Sequence, residues 1–350
     1  MRKEATIYDI AKELNLSAST VSRALKENPV INKETRKKVL RCAEKMGYRR
    51  NAFASSLRTK RTNTIGVIVP RLDSNFMSSC LAGMEEVASE KGYNLIIGQS
   101  LESAAKEAQN ASIMFNKRVD GVIASLTVED RNINHFQCFA DKNVPVVFFD
   151  RVPQNTNNAC FVIDNFEAAF VATKHLIEQG CKRIMHLSLK SNSNVYIDRL
   201  KGYEAAIQES GCCGGNVVYL DALNHESGKA FVAQFSAMKE KPDGLFVAND
   251  LTAVGCIVGL IENNFRIPED IAIVGFNNDP ISVIVSPQLT TIAYPGREAG
   301  MLATKTLIAH LTGENSIKHT SKVVLNTQLI VRASSRKNKT EKISDDETSI

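Results

Sequence analysis

Among the 350 residues there is no run of about 18 consecutive apolar side chains, which excludes a helix long enough to cross a membrane. The opening stretch MRKEATIYDI lacks the apolar segment of a secretory signal, so a cytoplasmic protein without a membrane partner is expected. The eight cysteines include no CxxC pair and no Cys/His spacing suited to zinc, so neither a metal site nor a disulfide framework is expected. Most thiols then read as reduced core groups. The adjacent Cys212 and Cys213 fit a small-residue turn after a helix or, less economically, a redox pair. Also missing are GxGxxG after the first strand, GxxxxGK(S/T), GxSxG and HExxH, the signatures of several large enzyme classes. His135, His175, His186, His225, His310 and His319 share no spacing. No catalysis and no cofactor are therefore expected.

What is present begins with 43% apolar residues, enough to bury a full core and to build two or three domains. The net charge of +5 hides an asymmetry: residues 1–61 carry 16 Lys and Arg against 6 Asp and Glu, and residues 62–350 carry 27 against 32. A basic head on a mildly acidic body implies a polyanion-binding module joined to a part that avoids polyanions, with nucleic acid the natural partner.

Within the head, Thr6 and Asp9 have the spacing of a capping box, opening a short helix with Ile10, Ala11 and Leu14 on one face. Ser17 can cap a second helix, Ala18 to Leu25, with Val21, Ala24 and Leu25 inward and Ala18, Ser19, Ser22 and Arg23 outward. A third runs from Asn32 to Met46 and stops at Gly47. A second helix carrying small polar groups and one Arg matches a helix-turn-helix unit with Ser19, Thr20 and Arg23 as readers; a structural hairpin with an incidental Arg has the same spacing. From Arg49 to Arg61 the segment RRNAFASSLRTKR favours helix but has too little apolar surface to fold alone. It reads either as a flexible basic linker or as a segment that folds on DNA in a dimer, pairing Ala54 and Leu57 faces while Arg58, Lys60 and Arg61 meet phosphates.

From residue 64 onward, short apolar runs alternate with helical patterns: TIGVIVP, YNLIIGQ, VDGVIAS, VPVVFFD and CFVID, then RIMHLS, VVYL, DGLFVAN and DIAIVGF. This is the rhythm of two parallel-sheet α/β lobes, with ligand chemistry at the C-terminal ends of the strands. From Ala333 the chain reads ASSRKNKTEKISDDETSI, a polar tail with no evident reason to order.

Thr6-Ile7-Tyr8-Asp9-Ile10-Ala11, Ser17 through Leu25, Met46-Gly47-Tyr48, Asn51 through Arg58, Val247-Ala248-Asn249-Asp250, Ile273-Val274-Gly275-Phe276, Ser286 through Ile292 and Leu329-Ile330-Val331-Arg332 together resemble the lactose/galactose-repressor (LacI/GalR) family of bacterial regulators. The resemblance implies an α/β architecture: a small all-α helix-turn-helix head (1–50), a hinge helix or linker (51–63), a two-lobed periplasmic-binding-protein-like core (64–332) and a disordered tail (333–350). Chain crossings between lobes are implied near 161, 291 and 321. The implied function is a transcription repressor that binds a pseudo-palindromic operator in double-stranded DNA as a homodimer, under allosteric control of a small-molecule effector, most simply a sugar-like metabolite.

Carried over by position, base reading falls on Ala18, Ser19 and Arg23, groove insertion on Leu57, and phosphate contact on Tyr8 and Tyr48, with Ser17, Thr20 and Arg58 completing the DNA-binding set. The implied effector cleft is lined by Phe76, Met77, Ser125, Asp150, Arg199, Leu223, Asn249 and Asn277. The sequence departs from the family at Ala18, which offers only a methyl, at Asn277, where Asp is frequent, and at Leu223, where an aromatic is frequent. A periplasmic solute-binding protein would share the two-lobed body but has no use for the basic head.

Overall fold

The computed structural model describes residues 5–48, 61–128, 133–211, 216–317 and 320–337. These residues divide between two compact units, Met1–Thr62 and Asn63–Ile350.

Three helices build the N-terminal unit: α1 (Ile7–Glu13), α2 (Ala18–Leu25) and α3 (Lys33–Lys45). Each begins where a side chain satisfies a backbone N–H that the first turn leaves unpaired. Thr6 and Asp9 form a reciprocal capping box, with the Thr6 N–H donating to Asp9 Oδ2 at 2.8 Å. Ser17 Oγ accepts from the Thr20 N–H at 3.1 Å, and Asn32 Oδ1 accepts from the Thr35 N–H at 2.7 Å. Asn15, with φ of 49°, turns the chain between α1 and α2, and Gly47, at 63°, ends α3 just beyond Met46. Ile10, Val21, Ala24 and Val39 pack into a small core fully shut off from solvent.

The second unit opens with β1 (Thr64–Val69), α4 (Asn75–Glu90), β2 (Asn94–Gln99), α5 (Ala104–Asn116), β3 (Gly121–Ala124), α6 (Gln137–Asp141), β4 (Val146–Phe149) and β5 (Cys160–Ile163). The chain then leaves for α7 (Asn165–Glu178), β6 (Ile184–Leu189), α8 (Asn194–Ser210), β7 (Asn216–Leu220), α9 (His225–Ala237), β8 (Gly244–Val247), α10 (Asp250–Glu262), β9 (Ala272–Asn277), α11 (Ile281–Ile284) and β10 (Thr290–Ala293). It returns for α12 (Gly296–Thr312) and β11 (Lys322–Leu325), and ends on β12 (Gln328–Ile330). One sheet has the order β11-β5-β4-β3-β1-β2 and the other β12-β10-β9-β8-β6-β7. Every strand pair is parallel except β12, which runs antiparallel to β10 at an edge.

Alternation along the buried strands explains why the apolar runs are continuous. Ile65, Val67, Val69, Ile123, Val147 and Phe149 supply one layer, whereas Ile68, Val122, Ala124 and Phe148 supply the layer on the opposite face. The chain passes between lobes three times, at 163–165, 293–296 and 325–328. Gly83 and Gly300 let α4 and α12 cross backbone to backbone: a Cβ at Gly83 would strike the Arg297 carbonyl, and one at Gly300 the Cys80 carbonyl. This crossing anchors the returning chain in the first lobe.

Two residues of the polar stretch that begins at Ala333 are part of the packed body. Ser334 and Ser335 are both fully buried. Ser334 Oγ donates to the Ile273 carbonyl at 2.6 Å and accepts from the Thr290 N–H at 2.9 Å, while Ser335 Oγ lies 2.7 Å from both His175 Nε2 and Thr290 Oγ1. Short hydroxyls thus satisfy strand-end groups that no apolar side chain can. Residues 338–350 lie outside the described residues.

Candidate functional site

In the head, Ser17 is exposed at the N-cap of α2, Ser19 and Arg23 are exposed on the helix itself, and Thr20 is half-buried. Ser17 Oγ lies 2.8 Å from both Ser19 Oγ and Thr20 Oγ1, so the three hydroxyls at the start of α2 form one cluster. Ala18, expected on the outer face, is half-buried against the head core, which leaves only part of its methyl to face a base. Tyr8 is 71% exposed, whereas Tyr48 packs against the head core. Leu57 and Arg58 lie outside the described residues, as do Cys212 and Cys213.

In the body, the strand ends bring polar groups from both lobes to one junction. Asp150 follows β4 with φ of 58° and is buried. Ser125, at the end of β3, donates to its Oδ2 at 3.5 Å. Burial raises the Asp150 carboxyl above its ordinary range, against the opposing pull of Arg151 and Arg199. The wall is aromatic: Phe76 packs on Tyr294 with ring centroids 4.1 Å apart and planes inclined by 36°, and Met77 is buried beside Phe76 on α4.

From the other lobe comes Arg199, buried on α8. Its Nε donates to Asn165 Oδ1 at 2.9 Å and its Nη1 to the Ala248 carbonyl at 2.7 Å, and its Cζ sits 3.4 Å from the centroid of the Phe276 ring. Desolvation lowers its pKa to about 10, so it stays cationic at neutral pH. The planar guanidinium is the residue type that can stack and bond in two directions at once.

The remaining expected cleft residues are engaged locally. Asn249 caps α10, its Oδ1 accepting from the Thr252 N–H at 2.9 Å while its Nδ2 donates to the Leu223 carbonyl at 3.1 Å. Leu223 packs against Val195, Tyr196 and Ala248. Asn277, the last residue of β9, has a φ of 112°. Sequence reasoning missed Arg151, Glu102, Asn165, Tyr196, Phe276 and Tyr294. Arg151 stands next to Asp150 at the end of the VPVVFFD run and was the most findable of them.

Asp250, the first residue of α10, is fully buried. One of its oxygens accepts from Thr291 Oγ1 at 2.6 Å and the other from the Asp279 N–H at 2.7 Å. Desolvation outweighs these bonds and raises its pKa to about 7, and raises that of Asp279 to about 6. Between about pH 4 and pH 7 the folded body therefore holds protons that the unfolded chain has released, so these groups make stability fall as pH rises through that window. Asp250→Asn removes one such proton. The variant is expected to show a shallower fall than wild type, by at most about 1.4 kcal/mol per pH unit, in denaturant melts at pH 5, 6 and 7. Parallel curves would contradict this.

Among the described residues, no group of three or more His, Cys, Asp or Glu is placed to hold a metal ion, and no helix is long and apolar enough to cross a membrane.

Comparison with known proteins agrees with this geometry. Residues 6–51 match the model for bacterial regulatory proteins of the lacI family, and residues 173–335 match a periplasmic binding protein-like domain. Catabolite control protein A of Priestia megaterium is 34% identical over 88% of this chain and 93% of its own. The HTH-type transcriptional repressor PurR of Photobacterium profundum is 30% identical over 94% of this chain and 98% of its own. Among solved structures, the lac repressor dimer bound to operator and the anti-inducer ONPF superimposes with a TM-score of 0.85 at 23% identity, covering 95% of this chain and 99% of that one, a likeness of fold. These relatives are transcription regulators, not enzymes. With a helix-turn-helix head and a two-lobed α/β core, the chain belongs to the LacI family of bacterial regulatory proteins and is a DNA-binding transcription regulator.

Proposed function

We propose that the protein is a repressor that binds a pseudo-palindromic operator as a homodimer and whose hold on DNA is set by a small molecule lodged between the two lobes. The observation that carries this reading is the convergence of Asp150, Ser125, Phe76 and Tyr294 with Arg199 and Phe276 at one lobe junction. A carboxylate, a guanidinium and closely packed rings together suit a polar metabolite such as a sugar, because each unmatched donor or acceptor in such a place costs about 1–3 kcal/mol. The proposed cleft set is Phe76, Met77, Ser125, Asp150, Arg199, Leu223, Asn249 and Asn277.

Operator contact is assigned to Tyr8, Ser17, Ala18, Ser19, Thr20, Arg23 and Tyr48, with Leu57 and Arg58 beyond them in the chain. Exposed apolar side chains support a second copy as partner. In the first lobe, Ile97 on edge strand β2 and Leu101 just after it are exposed, as is Leu72 just after β1; in the second, Leu251, Val283 and Ile284 are, Ile284 by 78%. A thermal-shift screen of small metabolites, followed by operator titration with and without the hit, tests the proposal. A stabilising metabolite that changes operator affinity supports it, and a screen in which no stabilising metabolite alters that affinity contradicts it.

A further inference from the structure

We propose that the two lobes are latched together by the chain's own side chains, so that closure does not require the effector; this rests on reading the junction as the effector cleft. The centre of the latch is Asn194, the first residue of α8. Its Oδ1 accepts from the Val152 N–H at 3.0 Å and its Nδ2 donates to the Asp150 carbonyl at 3.0 Å. One amide of the second lobe thus reads the backbone of the first as a neighbouring strand would. The left-handed turn at Asp150 accompanies this presentation of the 150–152 backbone.

Beside it, Arg151 of the first lobe reaches Tyr196 of the second, with Nη2 3.4 Å from Tyr196 Oη and Cζ 5.7 Å from the ring centroid. Arg151 is itself held, its Nη1 lying 2.9 and 2.8 Å from the two carboxylate oxygens of Glu102. Glu102 Oε2 also accepts from the Val128 N–H at 3.2 Å, and the Val128 carbonyl accepts from Ser191 Oγ of the second lobe at 3.4 Å. Val128 also packs against the cluster of Val195, Tyr196 and Ala248.

The turn that aims Glu102 is unusual. Leu101 and Glu102 both have left-handed φ, 52° and 60°, a conformation that non-glycine residues hold only where the surroundings over-determine it. Here the Glu102 carboxylate supplies that determination through Arg151 and Val128.

A metabolite entering this cleft therefore meets lobes already joined, and acts by displacing or reinforcing Asn194 and Arg151. It does not draw separated halves together.

Hydrogen exchange followed by mass spectrometry tests the latch on the full-length protein, freed of small molecules by unfolding, gel filtration and refolding. The wild type is expected to protect segments 150–152 and 191–196 equally before and after stripping. Asn194→Ala is expected to exchange about tenfold faster at the Val152 amide, the effect of losing one hydrogen bond, with the β8 and β9 amides unchanged as the control for folding. Tyr196→Phe, which keeps the ring, is expected to accelerate the same segment by a smaller factor. Loss of protection in stripped wild type, or wild-type exchange in both variants, overturns the proposal. The readout involves neither operator nor metabolite, so failure of the regulatory reading would be seen separately.

Discussion

Arg23→Ala is expected to weaken operator binding by about 1–3 kcal/mol per half-site, and by about 2–6 kcal/mol for a dimer on a two-fold site. In affinity this is roughly 30-fold to more than 10⁴-fold. Arg23 projects from α2 into solvent, while Val21 and Ala24 of the same helix are fully buried in the head core. The substitution thus removes the guanidinium fork proposed to read bases without touching packing, and the melting temperature should stay unchanged. Affinity for unrelated DNA should fall far less, by one cation per head. Arg23→Lys should recover that non-specific part but not the operator preference, because an ammonium cannot bond two guanine acceptors in one plane. Competition titrations with operator and scrambled duplexes measure both. An unchanged ratio of specific to non-specific affinity would remove Arg23 from the reading set.

In the body, Arg199→Met is expected to abolish the response to the effector, with an affinity loss of about 100-fold or more, near 3 kcal/mol. Methionine fills the space over the Phe276 ring but leaves Asn165 Oδ1 and the Ala248 carbonyl without the donors they now have. The body should lose about 1–3 kcal/mol of stability as well. Arg199→Lys should not rescue binding, since the flexible ammonium has no planar face to lay on Phe276. Calorimetric titration of the screened metabolite, with operator affinity measured in its absence, separates the two effects. Metabolite-free operator binding should stay within a few-fold of wild type, whereas full effector binding by Arg199→Met would place the ligand elsewhere.

How much of this was legible in the sequence differs sharply by element. The head was readable almost to the residue because its signals are local: Thr6 with Asp9, Ser17, Asn32 and Gly47 each act within one helical turn. The strands of the body from β1 to β9 were readable from apolar runs, since parallel sheets covered on both faces demand them. What could not be read were long-range pairings between polar side chains. Glu102 and Arg151 are 49 positions apart and Asn194 and Val152 are 42 apart, and no periodicity connects them. Ser334 and Ser335 failed in the opposite sense: their composition spoke for solvent, but their hydroxyls are wanted by Ile273, Thr290 and His175 in the interior. Ala18 sat on the polar face of α2 by spacing, yet its small side chain lets it lean against the head core.

Operator titration of the full-length protein against a pseudo-palindromic duplex, across salt concentrations and with and without the stabilising metabolite, tests the central claim most directly. The account predicts one dimer per duplex, a steep decline of log affinity with log salt, and a metabolite-dependent change of about 5- to 150-fold, matching about 1–3 kcal/mol of coupling. Monomeric binding, or an affinity that neither salt nor any stabilising metabolite alters, would contradict it.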